Sequence, residues 1–209
     1  MLESRLAGLT VAVDVQHLYR PSHPGDQGSV YTDAAGFHVT EAHLATVYAL
    51  GLAQWFQFRG ARVLTNSPAR AVLVGDYWTR NAQAAAYGAS VYLACHVNAG
   101  GGRYGAVEYM KDTPGGALAL AIGATLPRAV PEILGCKAIA LARGDRGAVC
   151  IEGFLPRCGA AVILEPFFGD TPAHRPLWAS PQLAVIAAAI GDGVARWWTN
   201  TGQNQTPPA

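Results

Sequence analysis

The chain alternates short β-branched runs with longer amphipathic stretches, and that alternation is its most informative feature. Leu9 to Val15 reads as a buried strand. Thr40 can cap a helix from Glu41 to Arg59, whose apolar face is Leu44, Val47, Tyr48, Leu50, Leu52 and Trp55, with Gly60 as the stop. Ala61 to Thr65 is a second strand, and Asp76 can cap a second helix that runs to Tyr87 and ends at Gly88. Strands at Ser90 to Val97 and Ala106 to Met110 follow, then a helix from Gly116 to Ile133 interrupted at Pro127. Two short strands are expected near Ala148 to Glu152 and Ala160 to Leu164, before a last helix capped by Ser180 with Pro181 in its first position. Strands alternating with helices of these lengths predict a single α/β domain, a mostly parallel twisted sheet covered by helices on both faces. The domain is expected to span residues 1–198, with 199–209 a flexible polar tail.

Composition narrows the class. Hydrophobic residues are 51% and charged residues 14% of the 209, against about 25% charged in an average soluble domain, which excludes intrinsic disorder. A formal net charge of +1 supplies no basic field for nucleic acid. No stretch reaches the roughly 18 uninterrupted apolar residues of a membrane span, so stable membrane insertion is not expected. The N-terminus has neither a basic region nor a small-residue cleavage site, so the expected location is cytoplasmic. Cys95, Cys136, Cys150 and Cys158 lack any CxxC spacing, which argues for reduced core thiols over a cysteine zinc site.

In parallel sheets, functional groups collect at the carboxyl ends of the strands. His17 follows the first strand, His96 ends the third and Glu165 follows the strand Ala161-Val162-Ile163-Leu164. Glu41, at the start of the first helix, can reach the same edge through the long loop from Leu18 to Thr40. Two imidazoles and a carboxylate with one open position form a known catalytic zinc set, and a further carboxylate could act as its general base. Each group also has a plainer explanation: a core histidine, a first-turn acid facing the helix dipole, or a strand end.

The ordered set of motifs resembles the type 3 family of zinc-dependent N-acetylmuramoyl-L-alanine amidases, from about Leu9 to Trp198. It comprises Val13-Asp14-Val15-Gln16-His17, Thr40-Glu41, Val63-Leu64-Thr65-Asn66, Arg80-Asn81, Ala94-Cys95-His96-Val97-Asn98-Ala99 and Ile163-Leu164-Glu165-Pro166-Phe167-Phe168-Gly169-Asp170. The resemblance implies one Zn2+ per chain held by His17, Glu41 and His96, with Glu165 as general base toward zinc-activated water. The implied substrate is peptidoglycan, cut between N-acetylmuramic acid and the L-alanine of the stem peptide. A lytic, endolysin-type enzyme is expected, monomeric and cytoplasmic until lysis. The rivals are a zinc carboxypeptidase acting on the stem peptide and a catalytically dead wall-binding module. The glycines that surround the first histidine in the family are replaced by Val15-Gln16 and Leu18-Tyr19, so that loop should be shaped differently. Glu152 also ends a short apolar run and competes with Glu165, which is preferred because Asp170 and the final helix follow it. His23, His38 and His43 are expected on the surface, Glu108 near the site, and Trp197-Trp198 packing the last helix.

Overall fold

The computed structural model describes residues 6–67, 71–154 and 159–201. In chain order the elements are β1 (Thr10–Val15), β2 (Val30–Thr32), β3 (His38–Thr40), α1 (Glu41–Phe58), β4 (Arg62–Thr65) and α2 (Tyr77–Ala86). Then come β5 (Val91–Cys95), β6 (Gly105–Met110), α3 (Gly115–Ala129), β7 (Cys136–Leu141), β8 (Ala160–Glu165) and α4 (Ser180–Asn200). The main sheet has the order β4-β1-β5-β8-β6-β7. Every neighbouring pair is parallel except β6 against β8.

The pleat sends alternate residues to opposite faces, and the two faces are covered unequally. Val11, Val13, Val91, Leu93, Cys95, Val162 and Leu164 enter the larger core, against α1, α3 and α4. Ala12, Tyr92, Ala94, Ala161 and Ile163 face the smaller core, covered by α2 and a 3-10 turn at Ala148–Cys150. Both Trp197 and Trp198 are buried in the larger core, as the sequence suggested. No single described helix is long and apolar enough to cross a membrane.

Several expectations are corrected. Ala148 to Glu152 is not a strand: Gly147, at φ +95°, turns the chain into a 3-10 turn, and Ile151 is buried as a lid on the smaller core. The strand lies earlier, at β7, where Lys137 and alternating alanines at an exposed sheet edge give little β signal. Pro127 does not interrupt α3 but lies near its end; the helix stops at Ala129, not Ile133. The Leu18 to Thr40 loop contains the β2–β3 hairpin, too short to register as a pattern. Ser180 is the first helical residue of α4 and Ala179 its cap, while Asp76 occupies the cap position of α2 without capping it. Asp76 instead accepts a 2.7 Å hydrogen bond from Ser22 Oγ. Thr40 does cap α1, accepting from the His43 N–H at 3.2 Å. The expected tail boundary at 199 falls inside α4, and residues 202–209 and Cys158 lie outside the described residues.

Helix α4 fits between α1 and α3 because it carries glycine at both contacts. A Cβ on Gly191 would stand 2.6 Å from the Trp55 ring, and one on Gly193 would stand 2.6 Å from Ile122 Cα. The second obstacle is backbone, which cannot rotate aside. Alanine normally stabilises a helix by about 1 kcal/mol over glycine, but overpacking of this kind costs about 1–3 kcal/mol. Gly193→Ala is therefore expected to lower the melting temperature; a rise in a thermal melt would show that α3 and α4 can separate freely.

Candidate metal centre

Three adjacent strands deliver the site. Val15, Cys95 and Leu164 are in register across β1, β5 and β8, so the chain leaves all three strands at one level. Strand parity then sends Cys95 into the larger core and His96 to the opposite side, with Glu165 on that same side. His17 comes two residues after β1, and Glu41 opens α1 behind its Thr40 cap.

These groups meet. Glu41 Oε1 lies 3.2 Å from His17 Nε2 and 2.9 Å from His96 Nδ1, and the two imidazole rings stand edge to face at 4.9 Å. One donor atom from each of the three residues falls within 4.8 Å of the other two. A zinc tetrahedron with bonds of about 2.0–2.1 Å has edges of about 3.3 Å. Two nitrogens and one carboxylate oxygen so grouped are a donor set that would suit that ion.

The surrounding contacts hold these side chains in place. Glu41 Oε2 accepts from the Ser29 N–H at 3.0 Å and Oε1 from the Val97 N–H at 3.3 Å, so the carboxylate cannot swing away. Gly28 lets its loop approach: at φ +65°, a Cβ there would lie 2.5 Å from Glu41 Oε2. His17 Nδ1 is 3.1 Å from both Asp26 oxygens, and an N–H there donates to Asp26 and leaves the Nε2 lone pair, on the Glu41 side, open to a metal ion. Asp26 is itself held by Arg20 Nη1 at 2.5 Å. The Tyr48 hydroxyl donates to the His96 carbonyl at 2.8 Å.

Beneath His17 lies a buried polar knot. Arg80, with no exposed surface, donates to the carbonyls of Val15, Gln16 and Leu18 at 3.3, 2.9 and 2.9 Å. Its Nη1 is 3.1 Å from Asp14 Oδ1, while the Gln16 amide and Tyr92 hydroxyl donate to Asp14 Oδ2. Asn66 closes the other side, accepting from the Val15 N–H and donating to the Val15 carbonyl. The loop that lacks the family's glycines bends instead at Tyr19, which adopts a left-handed φ of 52°.

Electrostatics follow from these partners. Burial pushes the Glu41 carboxyl up, but hydrogen bonds from His17 and His96 outweigh it and hold the group well below the usual carboxylate range. Burial likewise opposes ionisation of Asp26, yet the Gly28 N–H, His17 and Arg20 bring it down to about 2. Glu165 goes the other way. Burial, with Glu41 and Glu108 adding repulsion, drives its carboxyl well above the ordinary value, and Arg146 opposes the shift. Glu165 Oε2 is buried without a hydrogen-bond partner.

A cavity of about 670 Å³ opens over this group and is lined by His17, Glu41, His96, Glu108 and Glu165. Glu152 is absent from it; its Oε1 lies 4.0 Å from Arg143 Nε, beside a separate hollow with Met110 and Lys111. His23, His38 and His43 are exposed, as expected. Sequence reasoning missed Asp26, Tyr77, Arg146 and Cys150 on the cavity wall. Only Asp26 carried a signal, the Asp26-Gln27-Gly28 turn downstream of a candidate ligand.

No family model matches the sequence, and no curated protein matches it. Solved structures do. The chain resembles Cwp6 from Clostridium difficile (17% identity, TM-score 0.70), covering 90% of this chain but only 29% of that one. It resembles the CwlD amidase from Clostridioides difficile, solved in complex with the GerS lipoprotein, at 16% identity and a TM-score of 0.72, covering 92% and 99% of the two chains. It resembles the N-acetylmuramoyl-L-alanine amidase AmiC2 of Nostoc punctiforme at 17% and 0.70, covering 92% and 98%. The chain therefore has the α/β fold of these amidases.

Two substitutions test the site. Asp26→Asn keeps size but weakens the hold on His17, and is expected to loosen zinc about 10–100-fold in competition with a chromophoric chelator; unchanged affinity would remove Asp26 from the site. Arg80→Met strands the Asp14 carboxylate and is expected to cost about 3–5 kcal/mol in denaturant unfolding. Adding Asp14→Asn should return part of that loss, and no recovery would mean that the carbonyl contacts alone matter.

Proposed function

We propose that the protein is a zinc-dependent peptidoglycan hydrolase that cleaves the amide between N-acetylmuramic acid and L-alanine of the stem peptide. The observation that carries this reading is the convergence of His17, Glu41, His96 and Glu165 on one cavity within a fold shared with N-acetylmuramoyl-L-alanine amidases. When bound, zinc supplies a Lewis acid that polarises the carbonyl and brings the pKa of water down to about 7.

The chain's own residues do the rest. His17, Glu41 and His96 hold the ion, and Asp26 keeps Nε2 of His17 turned toward it. Glu165, buried and unpartnered at Oε2, takes a proton from the attacking water and returns it to the leaving alanine nitrogen. Burial and the neighbouring carboxylates raise its affinity for protons, which favours the half of the cycle in which it carries the proton to the nitrogen. A lytic setting of the endolysin type is part of the proposal.

Digestion of peptidoglycan followed by amine and reducing-end analysis tests it. An amidase frees the alanine amine and leaves the glycan intact. Release of a terminal amino acid would instead mark a carboxypeptidase, and no release a binding module. Glu165→Gln is expected to retain zinc and lose about a hundred- to ten-thousand-fold in turnover. Glu152→Gln, outside the cavity, should stay within a few-fold of wild type; the reverse pattern would move the base to Glu152.

A further inference from the structure

The cavity wall is strongly acidic: Asp26, Glu41, Glu108 and Glu165 all contribute to it. Of the cations nearby, Arg20 is paired with Asp26 and Arg80 with Asp14. Arg146 is different. It lines the cavity, is exposed, and has no ion-pair partner among the described residues. Its backbone is nevertheless fixed. The Asp145 side chain accepts from the Ala142 N–H at 2.7 Å, the Asp145 N–H donates to the Ala142 carbonyl, and the Ala148 N–H donates to the Asp145 carbonyl. A tied turn thus presents one free guanidinium to an otherwise anionic pocket.

We propose that Arg146 is a specificity-determining residue that binds a carboxylate of the substrate on the leaving-peptide side of the scissile amide. The inference rests on the amidase reading. In that reading Glu165 must touch the leaving nitrogen, so whatever lies just beyond Glu165 faces the peptide and not the sugar. Arg146 lies on that side: a Cβ on the next residue, Gly147, would stand 3.5 Å from Glu108 Oε2 and 3.4 Å from Ile163 Cδ1, on the paired strands β6 and β8, the latter carrying Glu165. Asp26 and Tyr77 close the opposite side, around His17. Consecutive Cα atoms are about 3.8 Å apart, so a carboxylate on the residue after the alanine lies within the reach of an arginine side chain. Elsewhere on the wall an anion meets carboxylates; at Arg146 it meets a planar fork of donors matched to it.

The test uses two soluble muramyl dipeptides whose second residue has its γ-carboxyl capped as a methylamide and that differ only at its α position, a free carboxylate in one and a carboxamide in the other. The full-length zinc-loaded protein is expected to favour the carboxylate about ten- to hundred-fold in kcat/KM, chiefly through KM. Arg146→Gln should bring that ratio to about one, and Arg146→Lys should keep part of it. An unchanged melting temperature would exclude misfolding of this surface variant. Cleavage of both substrates at equal rates by the wild type, or a ratio unaffected by Arg146→Gln, overturns the anchor and leaves the amidase reading intact. Failure to cut the lactyl–alanine bond in either substrate, or in peptidoglycan, overturns both.

Discussion

A buried guanidinium organises this protein. Arg80 has no water to turn to, and its two terminal nitrogens are met by the carbonyls of Val15, Gln16 and Leu18 at the end of β1 and by the Asp14 carboxylate. Burying such a pair brings little net stability, because the desolvation of both charges offsets their attraction. What it supplies is geometry. A turn whose carbonyls all point at one fixed cation has a single shape, and His17 leaves that turn in a single direction.

The same economy of placement recurs at Glu41. Its carboxylate is flanked by two histidines and two backbone N–H groups, so ionisation is favoured despite burial. Glu165, a few residues away in space but without donors, is pushed in the opposite direction. Two glutamates within one cavity are therefore driven apart by surroundings alone: Glu41 is held as an anion, and Glu165 is pushed toward its protonated form.

The sheet was legible because β1, β5 and β8 are buried on both faces and read as mainly apolar runs, broken within only by Asp14. Their carboxyl ends then located His17, His96 and Glu165 without further information. What escaped was whatever lies at an edge or depends on a turn. Strand β7 is alanine-rich and half exposed, and the β2–β3 hairpin has three residues per strand. The turn at Ala148–Cys150 has the apolar composition of a strand because it seals a core, and composition cannot separate the two uses. Arg146 was illegible, and Asp26 marked only by its turn, for a related reason, since their positions are set by loops that fold back from elsewhere in the chain.

The uneven covering of the sheet ties these points together. On the α1, α3 and α4 side, three long helices leave no room, and glycines at 191 and 193 are needed to seat the last of them. On the other side a ten-residue helix and one 3-10 turn leave the ends of β5, β8 and β6 uncovered, and the cavity occupies that gap. Had Ala148 to Glu152 formed a strand, it would have extended the sheet instead of standing over it. Arg146 and Cys150 would then have no wall to form. The departure from the sequence expectation at this segment is thus the feature that gives the centre its enclosure, and it supplies the only unpaired cation on the described cavity wall.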